Sequence, residues 1–308
     1  MRAVAEAPSK AIVTGEHFVV HGAWALAAAL PKKVRVEVEA ARSFRVTSQG
    51  SEEGPAGIAP VRQVVRAVAE EYSVGQEVAV SVTSSVPRGA GLGSSAATMV
   101  ALSAALSEFH SLGLGAEDII RLSMVGENAI HGRPSGIDPA VCALGGAILF
   151  KPGTKPKEVS LGGSRSLLVS YSGISRDTKA QIGRVSEAKD RYPGYFARLA
   201  GSVGALSLEA AGLLAKGDGE GLGGLLTMNH ALLGMLGVSN PTLDGMVDQM
   251  ITAGAYGAKL TGGGGGGSVI AVAPEAKEKN LVSGLTARGF DTFIAKVPTE
   301  GVKSWLER

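Results

Sequence analysis

The sequence predicts an α+β fold in two halves, with paired strands and segregated helices. Three observations support this prediction. KVRVEVEA (33–40) alternates charged residues with valine, which is the period-2 pattern of a half-buried strand. SAATMVALSAALSEF (95–109) is rich in Ala and Leu and predicts a buried helix. The polar stretch KPGTKPKEVSLGG (151–163) contains Pro and Gly, and it predicts a boundary between domains at 1–155 and 156–308.

The remaining elements follow from the same patterns. EVAVSVTSSV (77–86) alternates like a strand, and 117–132 places apolar residues on one face of a helix. Asn240 followed by Pro241 is typical of a helix start. The other predicted elements are strands at 146–150, 167–173, 258–260 and 268–273, several helices within 177–235, a helix at 275–289 and a last strand at 290–297.

Composition narrows the class of protein. The chain has 308 residues, 45% of them hydrophobic, and a net charge of +2 with no polybasic tract, so we expect neither a nucleic-acid nor a membrane partner. Cys142 is the single cysteine and excludes an intramolecular disulfide. AWALAAAL (23–30) is too short to span a bilayer, and the first residues lack a signal-peptide pattern. These features predict a soluble, cytoplasmic protein.

The stretch VPRGAGLGSSAA (86–97) places glycines directly before a predicted helix. Glycine backbone approaches a ligand closely, and the free N–H groups and dipole of a helix N-terminus favour an anion. The loop therefore predicts a phosphate site, with a tight turn and a serine cap as the alternative. Gly91-x-Gly93-x-x-Ala96 loosely matches the dinucleotide fingerprint without a clearly placed acidic residue, and the Walker pattern is absent from the sequence.

A second glycine cluster, KLTGGGGGGS (259–268), favours the phosphate interpretation. Ordering six glycines between two strands is entropically unfavourable. Close packing of this backbone against a ligand, or against the first glycine loop, explains the run better than a linker does.

Two acids and a lysine supply the chemistry that phosphoryl transfer needs. Ser95 and Glu127 are candidate Mg²⁺ ligands, because this ion takes hydroxyl or carboxylate oxygens together with phosphates. Asp138 and Lys10 are the candidates for acting on an acceptor hydroxyl and on developing charge. The alternatives are a helix cap at Asp138, a solvated Glu127 and a surface Lys10.

GEHFVVHG (15–22) contains two histidines four residues apart. Phe18-Val19-Val20 argues against a helix that would bring them to one metal, so Glu16 and His17 are interpreted as a polar pair in a pocket wall. The remaining histidines are predicted to be capping or surface residues: His110, His131 and His230.

Three long motifs, APSKAIVTGEHFVVHG (7–22), VPRGAGLGSSAA (86–97) and KLTGGGGGGS (259–268), together resemble the GHMP family of small-molecule kinases. This family includes galactokinase, homoserine kinase, mevalonate kinase and phosphomevalonate kinase. Within it, GEHFVVHG and GENAIHGRPSGIDPAV (126–141) are most similar to the mevalonate kinase patterns. The resemblance implies a two-domain α+β fold with the active site in the interdomain cleft. It also implies ATP and Mg²⁺ as cofactors, mevalonate as substrate and a homodimer.

The resemblance assigns roles to individual residues. Asp138 and Lys10 would be catalytic, and Ser95 and Glu127 would hold the metal. The implied ATP-binding residues are Pro87, Arg88, Gly89, Ala90, Gly91, Leu92, Gly93, Ser94 and Ser95. The implied substrate-binding residues are Glu16, His17, Ser135, Gly262 and Gly263.

Two alternatives stay open at this point. A sibling kinase would phosphorylate another small alcohol, such as homoserine or a sugar, or phosphomevalonate, for which Arg88 and Arg133 could supply cations. A sensor on the same fold would bind nucleotide without turnover.

Overall fold

The computed structural model describes residues 2–163, 166–175 and 178–307. Its strands are β1 (Arg2–Thr14), β2 (Ala25–Ala40), β3 (Arg45–Ser48), β4 (Ser51–Glu52), β5 (Val78–Ser84), β6 (Ala147–Phe150), β7 (Lys157–Val159), β8 (Ser166–Tyr171), β9 (Gly257–Thr261), β10 (Ser268–Val272), β11 (Asp291–Lys296) and β12 (Lys303–Glu307). Its helices are α1 (Pro55–Tyr72), α2 (Ser94–Phe109), α3 (Ala116–His131), α4 (Ile137–Leu144), α5 (Thr178–Arg191), α6 (Pro193–Lys216), α7 (Gly219–Met235), α8 (Pro241–Thr252) and α9 (Glu275–Thr286).

The strands form two sheets. An eight-stranded sheet has the order β12-β1-β2-β5-β3-β4, with β6 paired to β2 and β7 paired to β6. Helices α2 and α4 pack on this sheet, and α1 and α3 pack against α2. A four-stranded antiparallel sheet has the order β11-β8-β10-β9 and carries α7, α8 and α9. This arrangement is the predicted α+β architecture.

The small sheet is buried on both faces, and the alternation along β10 shows how. Ile270 and Val272 belong to the core cluster that also contains Val13 and Leu26 of the large sheet. Val269 and Ala271 face the other way, into a second cluster with residues of α8. Since successive strand side chains point to opposite faces, one strand contributes to both cores and joins the two halves.

The predicted elements are confirmed with end shifts of at most three residues, except that β2 begins at Ala25, eight residues before the predicted strand at 33–40. The prediction that 290–297 is the last strand is wrong, because β12 follows and pairs with the first residues of β1. β12 has only five residues at the edge of the sheet, so its strand conformation depends on pairing with β1 and not on a sequence pattern of its own. β7 and β12 both lie after residue 155 yet pair within the large sheet, and the domain division at 155/156 stays a prediction.

One helix among the described residues, α6, is long and apolar enough to cross a membrane by length and composition alone. Its buried residues recur every three or four positions: Phe196, Leu199, Val203, Gly204, Ser207, Ala210 and Ala211. This stripe packs on β2 and α7. The spacing is that of an amphipathic helix on a protein core.

Candidate active site

The site forms along the part of β1 that β12 leaves uncovered. β12 pairs with β1 only as far as Glu6. Beyond that point the backbone N–H of Lys10 donates to the carbonyl of Leu92 at 2.9 Å, and the N–H of Ile12 donates to Thr261 Oγ1 at 2.9 Å. The glycine loop and β9 therefore both dock on the same open edge, which brings the two glycine clusters together.

Lys10 and Asp138 form an ion pair across the large sheet and α4. Lys10 Nζ lies 2.9 Å from Asp138 Oδ2, and the Lys10 side chain is only 2% exposed while that of Asp138 is 30% exposed. The interpretation of Lys10 as a surface residue is thus wrong. A buried ammonium beside a partly open carboxylate is suited to act on a ligand that enters from the open side.

Gly93 makes room for Lys10. Its φ is +76°, and a Cβ at this position would lie 2.7 Å from both Cγ and Cε of Lys10. Glycine tolerates positive φ and lacks the clashing atom, so no other residue fits here without displacing the lysine. Helix α2 begins at the next residue, Ser94, as predicted.

The carbonyls of the glycine loop are pinned by neighbouring elements. Ser268 Oγ donates to the carbonyl of Ala90 at 2.8 Å, and the Tyr171 hydroxyl donates to that of Arg88 at 3.4 Å. Ala90 to Gly93 are buried, whereas Arg88 and Gly89 are exposed. The loop therefore has a fixed base and an accessible tip in front of the α2 N-terminus.

The six-glycine run packs backbone on backbone. A Cβ at Gly264 would come within 2.1 Å of the Val238 carbonyl oxygen. The N–H groups of Gly265 and Gly267 donate to the carbonyls of Val238 and Ile174 at 2.7 and 2.8 Å. The run is an ordered wall of the site and not a linker, as its position between two strands predicted.

Ser95 and Glu127, the predicted metal ligands, meet at His131. Ser95 Oγ lies 3.3 Å from His131 Nε2, which lies 3.8 Å from Glu127 Oε2. The Glu127 side chain is 2% exposed, so its interpretation as a solvated helix residue is wrong. His131 is the last residue of α3 and its side chain is 29% exposed, which agrees with its prediction as a capping or surface residue, and it also contacts Ser95 beside the start of α2.

The GEH segment faces the glycine run. His17 Nε2 lies 3.0 Å from the carbonyl oxygen of Gly263, while the His21 ring packs edge-on against Phe196 with centroids 5.1 Å apart. Glu16 is buried and forms an ion pair with Lys259, a residue of β9. The two histidines thus contact different residues, which agrees with the prediction that they do not share one metal.

Burial opposes charge on this Glu16–Lys259 pair. Burial raises the pKa of the Glu16 carboxyl, and Lys259 together with the backbone of Gly262 acts against that shift. Burial lowers the pKa of the Lys259 ammonium, with Glu16 opposing it and Lys10 adding to it. Lys10 and Lys259 are therefore close enough to interact electrostatically within one buried region.

Helix α4 begins with Gly136 as its cap and Ile137 as its first residue, so the interpretation of Asp138 as the helix cap is wrong. Ser135 Oγ accepts a hydrogen bond from the Ile137 N–H at 3.3 Å and shapes the turn. Because Asp138 lies in the first turn without capping it, its carboxylate is available to Lys10.

Comparison with known proteins agrees with this geometry. Residues 59–146 match the GHMP kinases N terminal domain, and residues 210–291 match the GHMP kinases C terminal domain. A mevalonate kinase of Thermococcus sibiricus is 35% identical over 98% of both chains, and one of Aeropyrum pernix is 34% identical over 97% of both. The chain belongs to the GHMP kinase family. The crystal structure of L. major mevalonate kinase in complex with R-mevalonate superposes with a TM-score of 0.81, at 30% identity and 95% coverage of each chain.

This GHMP kinase is therefore an ATP-dependent enzyme, and its site can be tested for fit to the ligands that a kinase needs. The glycine loop presents backbone that a Cβ would obstruct, at the N-terminus of a 16-residue helix. Ser95 and Glu127 offer a hydroxyl and a carboxylate beside it. No group of three or more His, Cys, Asp or Glu in the described ranges could hold a metal alone, but Mg²⁺ in kinases needs only one or two such ligands plus phosphates.

Sequence reasoning missed two residues of this GHMP kinase site, His131 and Lys259. His131 lies one turn after Glu127 on α3, so the i, i+4 spacing could have indicated it. Lys259 lies three residues before Gly262, the first glycine of the second cluster, but the strand pattern there is too short to show that the lysine side chain points inward. Cys142 lies one turn after Asp138, and burial raises its thiol pKa well above the usual range, so it stays protonated.

Proposed function

We propose that this chain is a mevalonate kinase, which transfers the γ-phosphoryl group of ATP to the 5-hydroxyl of (R)-mevalonate. The observation that carries the proposal is the 2.9 Å contact between Lys10 and Asp138 beside the α2 N-terminus, which joins an acid–base group to a phosphate site. Full-length similarity to proteins named mevalonate kinase, and to one structure with bound R-mevalonate, supports the choice of acceptor.

ATP binds with its phosphates on the loop Pro87–Ser95. The backbone amides and the positive end of the α2 dipole face the anion, and no side-chain cap occupies the helix start. Ser95 and Glu127 would hold Mg²⁺, and His131, which contacts both side chains, would orient them. When bound, this ion neutralises charge on the β- and γ-phosphates.

The acceptor oxygen forms a bond to the γ-phosphorus as the bond from that phosphorus to the β,γ-bridging oxygen breaks, and ADP leaves. Asp138 takes the hydroxyl proton, since its partly exposed carboxylate faces the open side of the site. Lys10 stabilises the negative charge that develops on the acceptor oxygen. Its burial strengthens this interaction, because a nearby charge is screened less inside the protein.

The acceptor lies beside the contact between the GEH segment and the glycine run. His17 and Ser135 would bind its polar groups, the buried Glu16 would act through His17, and Gly262 and Gly263 would form the adjoining wall. Support for this placement comes from His17, whose ring nitrogen already contacts the Gly263 carbonyl across the site.

ADP release with ATP and Mg²⁺ tests the proposal in parallel reactions containing mevalonate, phosphomevalonate, homoserine or galactose. We expect release with mevalonate alone. Release with phosphomevalonate alone would identify phosphomevalonate as the substrate instead, and its phosphate would then need a cation. Arg88 is a candidate for that cation, because its side chain is 82% exposed. ATP binding without turnover in any reaction would favour a sensor.

We propose further that the enzyme works in the cytoplasm as a homodimer. The family resemblance supports both statements, and the dimer is also supported by exposed large apolar side chains on α6 and α7, namely Tyr195, Leu208, Met228 and Met235. Light scattering coupled to size exclusion measures the mass directly, and a monomer at micromolar concentration would contradict the dimer.

A further inference from the structure

Lys259 and Glu16 form a fully buried ion pair between the two halves of the molecule. Their side chains are 0% and 2% exposed, and they lie 243 residues apart in the sequence. Lys259 Nζ also donates to the carbonyl of Leu260 at 2.6 Å. The pair therefore joins the segment after β1 to β9 at a place without access to solvent.

An ion pair at such a position is not needed for packing. Burying two charges costs several kcal/mol of desolvation per ion, and apolar residues of similar volume are often at least as stable. The neighbours of Lys259 along β9 are Ala258 and Leu260, which pack in an apolar cluster on the opposite face. A charged residue on the other face of the same strand indicates a role that an apolar side chain would not fill.

Lys259 and the residues that follow it contact β1 and the GEH segment at successive positions. Thr261, two residues on, lies on the same face of the strand. Its hydroxyl accepts from the Ile12 N–H and donates to the Ile12 carbonyl, both at 2.9 Å. Two residues further, the Gly263 carbonyl contacts His17 at 3.0 Å. One short segment thus fixes β1 and the residues that follow it.

His17 depends on this support. Its backbone has φ of +61°, a left-handed conformation that is strained for a side-chain-bearing residue and persists only when neighbours enforce it. Glu16 immediately precedes it, so the ion pair anchors the chain at the point where the strain begins. Releasing Glu16 would allow His17 to relax away from the glycine run.

We propose that Lys259 is a positioning residue for the acceptor alcohol: through Glu16 it holds His17 against the glycine run, so that the acceptor site exists only where the two halves meet. This inference rests on the proposed function and deepens it. ATP binds at the glycine loop, whose carbonyls at Ala90 and Arg88 accept hydrogen bonds from Ser268 and Tyr171 and not from Lys259.

The test compares the Michaelis constants of three variants. Lys259→Met is expected to raise KM for mevalonate at least tenfold while KM for ATP stays within twofold of the wild type. Glu16→Gln combined with Lys259→Met removes both charges, and it is expected to recover thermal stability without recovering KM for mevalonate. Thr292→Val is the matched control, because it removes a buried 2.7 Å hydrogen bond to Ser170 in the same sheet without touching residues 15–17.

Hydrogen exchange of the peptide spanning residues 13–24 gives a readout that needs no turnover. Lys259→Met, or the double variant if the single one does not fold, is expected to speed its exchange at least tenfold, with no change in Thr292→Val. Unchanged exchange, or equal rises in both Michaelis constants, would overturn the positioning role. If the wild type phosphorylates a different alcohol, the proposal of mevalonate as substrate is wrong. The KM for that alcohol is then compared with the KM for ATP in the same variants.

Discussion

Replacing Gly93 with alanine tests whether the glycine loop positions Lys10 as well as binding phosphate. Two effects add in this variant. The left-handed backbone at φ +76° costs about 1–2 kcal/mol of stability for any residue with a Cβ. The new Cβ would also lie 2.7 Å from Cγ and Cε of Lys10, against an ordinary carbon–carbon contact of about 3.5–4 Å. The lysine must therefore move by about 1 Å.

This displacement sets the expected loss of activity. The Lys10 backbone is hydrogen bonded to Leu92 and paired with β2, so the flexible end of the side chain has to move, away from its 2.9 Å contact with Asp138. A misplacement of about 1 Å at a reacting centre costs about 100-fold in rate. We expect kcat to fall by about that factor, which corresponds to about 2.7 kcal/mol in the activation free energy.

Gly113→Ala is the matched control for the backbone strain. Gly113 has φ of +63°, and a Cβ at this position would meet no atom within 4 Å, so the alanine variant carries the strain without a clash. Coupled measurement of ADP release gives kcat, and thermal unfolding gives the stability of both variants. A kcat for Gly93→Ala within threefold of that for Gly113→Ala would refute the reasoning that Gly93 exists to seat Lys10.

Three further predictions concern single carboxylates. Asp138→Asn is expected to lose most of its turnover while ATP binding, followed by calorimetry, is retained; an unchanged kcat would exclude this residue from the chemistry. Glu127→Gln is expected to shift the Mg²⁺ dependence of activity at least tenfold to higher concentration, and an identical Mg²⁺ titration would contradict its role as a ligand. A hydrogen bond from Arg35, together with one from Arg2, holds the pKa of Glu307 below its ordinary value of 4.5, so the stabilisation is present above pH 4.5 and is lost as the pH falls through the lowered folded-state value. Glu307→Gln is therefore expected to lower Tm at pH 7 and to have a smaller effect near pH 3.5; the same shift at both pH values would contradict the ion pair.

The sequence by itself determined the local structure and the set of candidate chemical groups. Alternation located β5 and the second half of β2, and the glycines before Ser94 located the start of α2, because periodicity and backbone freedom are properties of neighbouring residues. The motifs were long enough to indicate the family. They also named Lys10 and Asp138 together, although nothing in their spacing shows that they touch.

Only the tertiary structure decided which groups meet. Lys10 and Asp138 come from different elements, and their contact depends on where β12 stops along β1 and on how α4 crosses the sheet. The same holds for Lys259, whose burial against Glu16 depends on which face of β9 points toward the first half. The sequence shows that side chains of a strand alternate between two faces, but the packing of distant segments decides which residues each face contacts. The acceptor side of the site consists of such contacts.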